Sequence, residues 1–456
     1  MMSVALLKVS GTRDRWEVTH MRSVRRAGFG LAALLLVLSS CSWPQYRGGP
    51  TLSGFQPFET SISRANVGSL TTLWTAATGG SIYSSVTVAN GSAYVGSDDG
   101  TLYVFDASGV VGCSGVPNVC APRWTAVVPG GPVSLAPAVS GGVVYVSSGD
   151  GRLFAFDAAG ARNCTGAPKT CSPLWSAVTS ERGLSAPTVD NGFVFSGGTE
   201  RLYAFDAAGT VGCTGAPKSC SPIWTASVSC SILCSPAVSR GVVYANSNDL
   251  AKLYAFDAQG MTGCSGTPRV CAPLWSASTG QATASHWPVA ISNDTVYVGS
   301  ATSVLAFDAA GTAGCSGAPK TCTPLWTSTV LIHISSQPAV GNGRVIVAAE
   351  GKLYALDAAG TSGCSGTPKV CVPLWTVPNT GAAAPTIAND VVFSAGLGEV
   401  NASDATGAFG CSGQPKVCQT GWASPTIEPN TEGVAVVNGT VFVATNDGKV
   451  YAFRRG

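Results

Sequence analysis

A block of about fifty residues recurs along this 456-residue chain, and that recurrence limits the fold more than any other feature. Tyr203 to Ala226, YAFDAAGTVGCTGAPKSCSPIWTA, is one copy of its most regular part. Aligning on the aromatic–Asp step gives Phe105-Asp106, Phe156-Asp157, Phe205-Asp206, Phe256-Asp257, Phe307-Asp308, Leu356-Asp357 and Ser403-Asp404, then a last VYAF ending at Phe453. Aligning on tryptophan gives Trp74, Trp124, Trp175, Trp224, Trp275, Trp326, Trp375 and Trp422. Both counts are eight. Within a unit, short runs of β-branched and aromatic residues alternate with Gly, Asn and Asp turns, which predicts four antiparallel strands. A sheet of that size cannot bury both faces alone, so the units must pack on one another.

The fold class expected is therefore all-β: a single eight-bladed β-propeller of four-stranded antiparallel blades, closed by the N-terminal strand. The chain enters with TTLWTAAT, which no YAFDA run precedes, and leaves with KVYAF, which no tryptophan strand follows. The last blade is then completed by the first strand, which removes an open sheet edge.

Of 17 cysteines, fourteen form seven C-x6-C pairs: Cys113/Cys120, Cys164/Cys171, Cys213/Cys220, Cys264/Cys271, Cys315/Cys322, Cys364/Cys371 and Cys411/Cys418. Zinc would need four converging ligands, and these pairs are far apart with only 3 histidines, so disulfides are expected. Each would close a long turn between the third and outermost strands of its own blade, restricting the unfolded chain by roughly 2–3 kcal/mol. Cys230 and Cys234 are expected to form a further local bridge in a blade-entry loop.

The compartment is read from residues 21–41, MRSVRRAGFGLAALLLVLSSC. A basic start, an apolar run and small residues before Cys41 resemble a bacterial lipoprotein signal, which implies acylation of Cys41. Residues 1–40 are then the signal region, with Met21 as a candidate start, residues 41–69 a lipid-anchored lead-in, and residues 70–456 the propeller. Charged residues are 11% and the net charge is +2, which gives nucleic acid nothing to bind.

The unit LYAFDAAG…LW preceded by SPAVSRGVVYA is similar to the pyrroloquinoline-quinone-like propeller repeat, in which Ala-x-Asp-x-x-x-Gly-x-x-x-Trp docks neighbouring blades through tryptophan. Ala204, Asp206 and Trp224 carry that pattern, as do Ala255, Asp257 and Trp275, although the cysteine insert separates Asp from Trp. WPQYRGGPTLSGFQP, Trp43 to Pro57, resembles the lead-in of such propellers. The resemblance implies either a quinoprotein dehydrogenase, with quinone and calcium over the channel, or a scaffold lipoprotein.

The position before each blade's first strand should face the channel: Ser85, Ala136, Ala186, Ser235, Trp287, Gln337, Ala384 and Ser424. The next ring outward reads Ser84, Leu135, Ser185, Cys234, His286, Ser336, Ala383 and Ala423, and neither ring offers a calcium set. His286, Trp287 and Gln337 are the candidate binding rim. Glu181-Arg182 reads as a solvated pair. A basic residue recurs in six inserts, at Lys169, Lys218, Arg269, Lys320, Lys369 and Lys416, either guarding edge strands or meeting an anionic envelope polymer. The expectation is a monomeric, non-enzymatic extracytoplasmic binding module with no cofactor or metal, anchored to the membrane and meeting protein or envelope polymer. A PQQ- and calcium-dependent dehydrogenase is the alternative.

Overall fold

The computed structural model describes residues 41–229, 235–247, 249–280, 288–329, 331, 333–378, 381, 383–396, 398–429 and 432–456. The signal region 1–40, Cys230, Cys234, His286 and Trp287 lie outside the described residues.

The described chain forms an all-β propeller of eight blades. Blade one shows the pattern: Thr87–Ala89 innermost, then Ser92–Gly96, Thr101–Asp106 and, outermost, Trp124–Val127. All three pairings are antiparallel, with Val95 opposite Tyr103 and Val104 opposite Trp124. The two middle strands are buried along nearly their whole length, because each blade is sandwiched between two others. That is why they read as continuous apolar runs such as VVYVS and LFAFD. The core is accordingly divided into apolar layers between neighbouring blades; one joins Tyr94, Leu102 and Trp124 of blade one to Val139, Val144 and Phe156 of blade two.

The ring closes where Leu70–Ala77 pairs antiparallel with Lys449–Arg455, so the first strand is the outermost strand of blade eight.

The cysteine inserts depart from the geometry expected of them. Each is a two-stranded hairpin that leaves its own blade and lies parallel on the tryptophan strand of the preceding one. The insert of blade two (Cys164–Thr165, Lys169–Cys171) pairs Lys169 with Trp124 and Thr170 with Thr125 of blade one. The insert of blade one sits likewise on the closing strand, with Asn118 opposite Trp74. Seven sheets therefore have six strands, four of their own and two from the next blade. The sheet of blade seven has five, the fifth being Phe55–Gln56 of the lead-in at its inner edge.

Each insert is closed by its C-x6-C disulfide: Cys113–Cys120, Cys164–Cys171, Cys213–Cys220, Cys264–Cys271, Cys315–Cys322, Cys364–Cys371 and Cys411–Cys418. Aspartate begins each insert. Asp206 Oδ2 accepts from Thr210 N (2.6 Å) and Val211 N (2.8 Å), and Asp106, Asp157, Asp257, Asp308, Asp357 and Asp404 repeat the cap. Burial alone would raise these carboxyls, but the donated hydrogen bonds outweigh it and hold all seven below the ordinary aspartate value. The insert cation turns inward onto its own turn: Lys218 Nζ donates to Gly209 O at 3.0 Å, and Lys169, Arg269, Lys369 and Lys416 do the same.

The turn glycine meets the tryptophan of the preceding blade. Gly209 has φ +63°, and a Cβ there would lie 2.1 Å from Trp175 Cδ1; the contact recurs from Gly109 on Trp74 to Gly407 on Trp375. Only glycine supplies both the left-handed backbone and the space for the indole. Trp175 Nε1 and Tyr145 Oη both donate to Ala207 O in the same turn, at 3.3 and 2.9 Å.

Candidate functional site at the channel hub

Residues 43–56 run round the inner wall of the ring and meet the eight blades in order. Trp43 exchanges two backbone bonds with Val88, at 2.7 and 2.8 Å. Pro44 O accepts from Val139 N, Pro50 O from Val238 N, Thr51 O from Ile291 N, Ser53 O from Val340 N and Gly54 O from Ile387 N, at 2.6–2.9 Å. At blade three the backbone has turned away into Tyr46–Gly48, and the Gln45 amide replaces it: Nε2 donates to Val189 O (2.8 Å) and Oε1 accepts from Val189 N (2.7 Å). At blade eight Gln56 Nε2 donates to Val436 O at 3.2 Å. A primary amide carries the same donor and acceptor as a peptide group, which is why glutamine serves where the strand cannot. The lead-in thereby satisfies inner strand edges that would otherwise stand open.

Strand register corrects two positions of the expected rim. In blade five the innermost strand is Ala290–Ser292, so Pro288 rather than Trp287 stands level with Ala136. In blade eight the innermost strand is Ala435–Val437, which has no preceding proline, so Gly433 holds the position assigned to Ser424. Ser424 instead follows the tryptophan strand of blade seven, where its Oγ accepts from Val400 N at 3.0 Å. The next ring outward then contains Glu432 in place of Ala423. Gln337 is fully buried, and its Nε2 donates to Leu52 O (3.1 Å) and Val289 O (2.9 Å), tying blade six to the lead-in and to blade five. Glu181 is buried rather than solvated and accepts from Thr199 Oγ1, from Glu200 N (3.2 Å) and from Tyr203 Oη (3.2 Å).

The hub also holds an ionisable cluster that sequence reasoning missed. Arg47, 2% exposed, donates to Ala384 O at 3.4 Å and to Pro385 O. Gly54 leaves room for it, since a Cβ there would lie 2.1 Å from Arg47 Nη2. The Tyr46 hydroxyl is hydrogen-bonded to the Glu432 carboxylate. Burial lowers the Arg47 guanidinium to about 10, with Tyr46 and Glu432 opposing it. Burial also raises Glu432, against the Tyr46 hydrogen bond and the charge of Arg47, and pushes Tyr46 well up.

The described residues of the ring do not make a calcium–quinone site. Calcium takes 6–8 oxygens, usually with several carboxylates. Among the described residues the two rings offer one carboxylate, Glu432, and it is engaged with Tyr46. Among the described residues no three His, Cys, Asp or Glu side chains converge as metal ligands.

Cys41, the free cysteine among the described residues, is buried and lines a 330 Å³ cavity between blades eight and one, with Val88, Ala107, Ser108, Asn438 and Arg454. Burial raises its thiol pKa.

A family profile described as outer membrane protein assembly factor BamB matches residues 60–164. No curated protein matches the chain in sequence. Among solved structures, BamB from Moraxella catarrhalis is 12% identical with a TM-score of 0.57, over 84% of this chain and 99% of that one. A quinohemoprotein alcohol dehydrogenase from Pseudomonas putida is 14% identical with a TM-score of 0.62, over 91% of this chain and 80% of that one. The computationally designed Ika8 protein is 14% identical with a TM-score of 0.59, over 84% of this chain and 99% of that one. With its eight docked blades and the Asp–Gly–Trp step that joins them, the chain folds as an eight-bladed β-propeller similar over residues 60–164 to the BamB profile.

Proposed function

We propose that this protein is a non-catalytic extracytoplasmic lipoprotein, acylated on Cys41, whose propeller is a rigid scaffold for a protein partner. The observation that carries the reading is the hub: the chain's own lead-in is bonded to the inner strands of all eight blades, from Val88 to Val436. Seven disulfides suit an oxidising compartment, and the profile match to an assembly factor favours a protein partner. An envelope polymer is less favoured, because five insert cations are turned onto their own glycine carbonyls. The partner would meet the blade-entry loops, where His286 and Trp287 belong by sequence.

The test is titration calorimetry of the oxidised protein with pyrroloquinoline quinone and calcium, paired with a dye-linked alcohol oxidation assay and mass spectrometry of Cys41 from expressing cells. No heat, no turnover and an acylated cysteine are expected. Saturable micromolar binding with turnover would overturn the scaffold reading, and an unmodified Cys41 would overturn the anchor.

A further inference from the structure

The seven inserts are copies of one hairpin, so the one that differs stands out against six controls. Four positions of each insert face solvent: the two residues after the turn glycine, the residue before the tip proline and the residue before the second cysteine. In the first insert all four are valine: Val110 is 73% exposed, Val111 57%, Val116 fully and Val119 60%. No other insert has more than two large apolar side chains at these positions. The first insert also lacks the cation of the other six. Asn118 stands there and makes the same bond to Gly109 O, at 2.9 Å, so residues 109–122 carry no charge. Four exposed valines on one uncharged hairpin are an apolar patch that a soluble surface does not need.

Its surroundings indicate what covers it. The tip, Gly115 to Asn118, borders a 260 Å³ cavity with Arg454 and Arg455. Both arginines are exposed, and neither is in an ion pair with a described residue. Arg454 also lines the cavity that Cys41 lines, together with Ala107 and Ser108, which precede Gly109 and Val110 in the chain. Cys41, the valine hairpin and two arginines without an ion-pair partner among the described residues thus share one sector.

We propose that this sector, between blades eight and one, is a membrane-contact surface: the first insert inserts its valines among acyl chains while Arg454 and Arg455 meet anionic headgroups. The inference rests on the anchored-lipoprotein reading for the bilayer being within reach. Apolar burial beside cations that attract anionic lipid is the combination by which peripheral proteins hold a bilayer surface.

The test uses residues 42–456, which hold every described strand and carry no acyl chain, co-sedimented with phosphatidylcholine vesicles and with vesicles of phosphatidylcholine mixed with phosphatidylglycerol. Stronger binding to the anionic vesicles is expected. V110D/V116D should weaken it about tenfold or more, and R454E/R455E should remove the preference for anionic vesicles, at about fivefold per arginine. V211D in the third insert is the control and should change nothing, with circular dichroism checking that each variant is folded. Absence of vesicle binding, or binding that V110D/V116D leaves intact, overturns the proposal. So does a protein partner captured through the same valines without lipid. Vesicle binding with an unmodified Cys41 in cells would sink the anchor and leave the surface, whereas acylation without vesicle binding would do the reverse.

Discussion

At the hub each blade is held by a different residue of the lead-in, from Trp43 on Val88 to Gln56 beside Val436, whereas at the rim seven copies of one hairpin hold seven blades with the same aspartate, glycine and cysteines. The hub is written once, and it joins through backbone bonds, two glutamine amides and a buried arginine. The rim is written seven times, and it joins through a disulfide, an aspartate cap and a glycine–indole contact. Rim joints are therefore redundant and local, while each hub joint occurs once. The two also lean oppositely on charge: burial raises Glu432 at the hub, and hydrogen bonds lower seven aspartates at the rim.

Acid should separate the two regions most, because it reaches seven turns at once. Each cap carboxyl lies below its unfolded value of about 3.9, so its stabilisation is complete above that pH and is lost as pH falls through the folded pKa. Glu432 has the opposite sign: its ionisation costs stability as pH rises above the unfolded value of about 4.3, and acid relieves that cost. Hydrogen exchange at about pH 3 against pH 7 should show insert amides losing protection while the amides of Val139 and Val340 keep theirs. Equal loss at both would break the comparison.

Among single substitutions, Arg47→Ala should cost most, about 3–5 kcal/mol, since it strips the cation from a buried cluster and leaves two carbonyls unpaired. Urea unfolding measures it. Gly209→Ala should cost about 3 kcal/mol, combining a left-handed backbone with overlap on Trp175. Cys213→Ser with Cys220→Ser should remove roughly 2–3 kcal/mol, and calorimetry should show the other inserts unmoved. Lys218→Ala, losing one bond to Gly209 O, should cost about 1 kcal/mol or less. A rim loss spreading through the ring would show that the inserts are not independent.

The rim was legible in the sequence because repetition exposes it: eight tryptophans, seven Asp-x-x-Gly turns and seven cysteine spacings give blade number, closure and pairing directly. Which strand each hairpin lies on was not legible, since spacing within a unit says nothing of the neighbouring blade. The hub was hidden for the converse reason. Residues 43–56 occur once, and no period announces that Arg47 would be buried. Glu432 was missed because Ser424-Pro425 imitates a blade entry while the true inner strand of blade eight has no proline before it; the run GVAVVN, Gly433 to Asn438, was the available signal. Pro288 misled by one position because blade five starts its strand a residue later.

The lead-in has a consequence for how such a chain can change over generations. Near-identical tandem copies invite unequal recombination, which would add or delete a whole blade at the level of the gene. A ring of nine or seven would still find clasps for its rim, because each new unit brings its own. Its lead-in would not match, because residues 43–56 meet eight inner strands in order and have no residue to spare for a ninth. The segment therefore works as a tally that the repeats themselves do not carry, and it holds the copy number at eight.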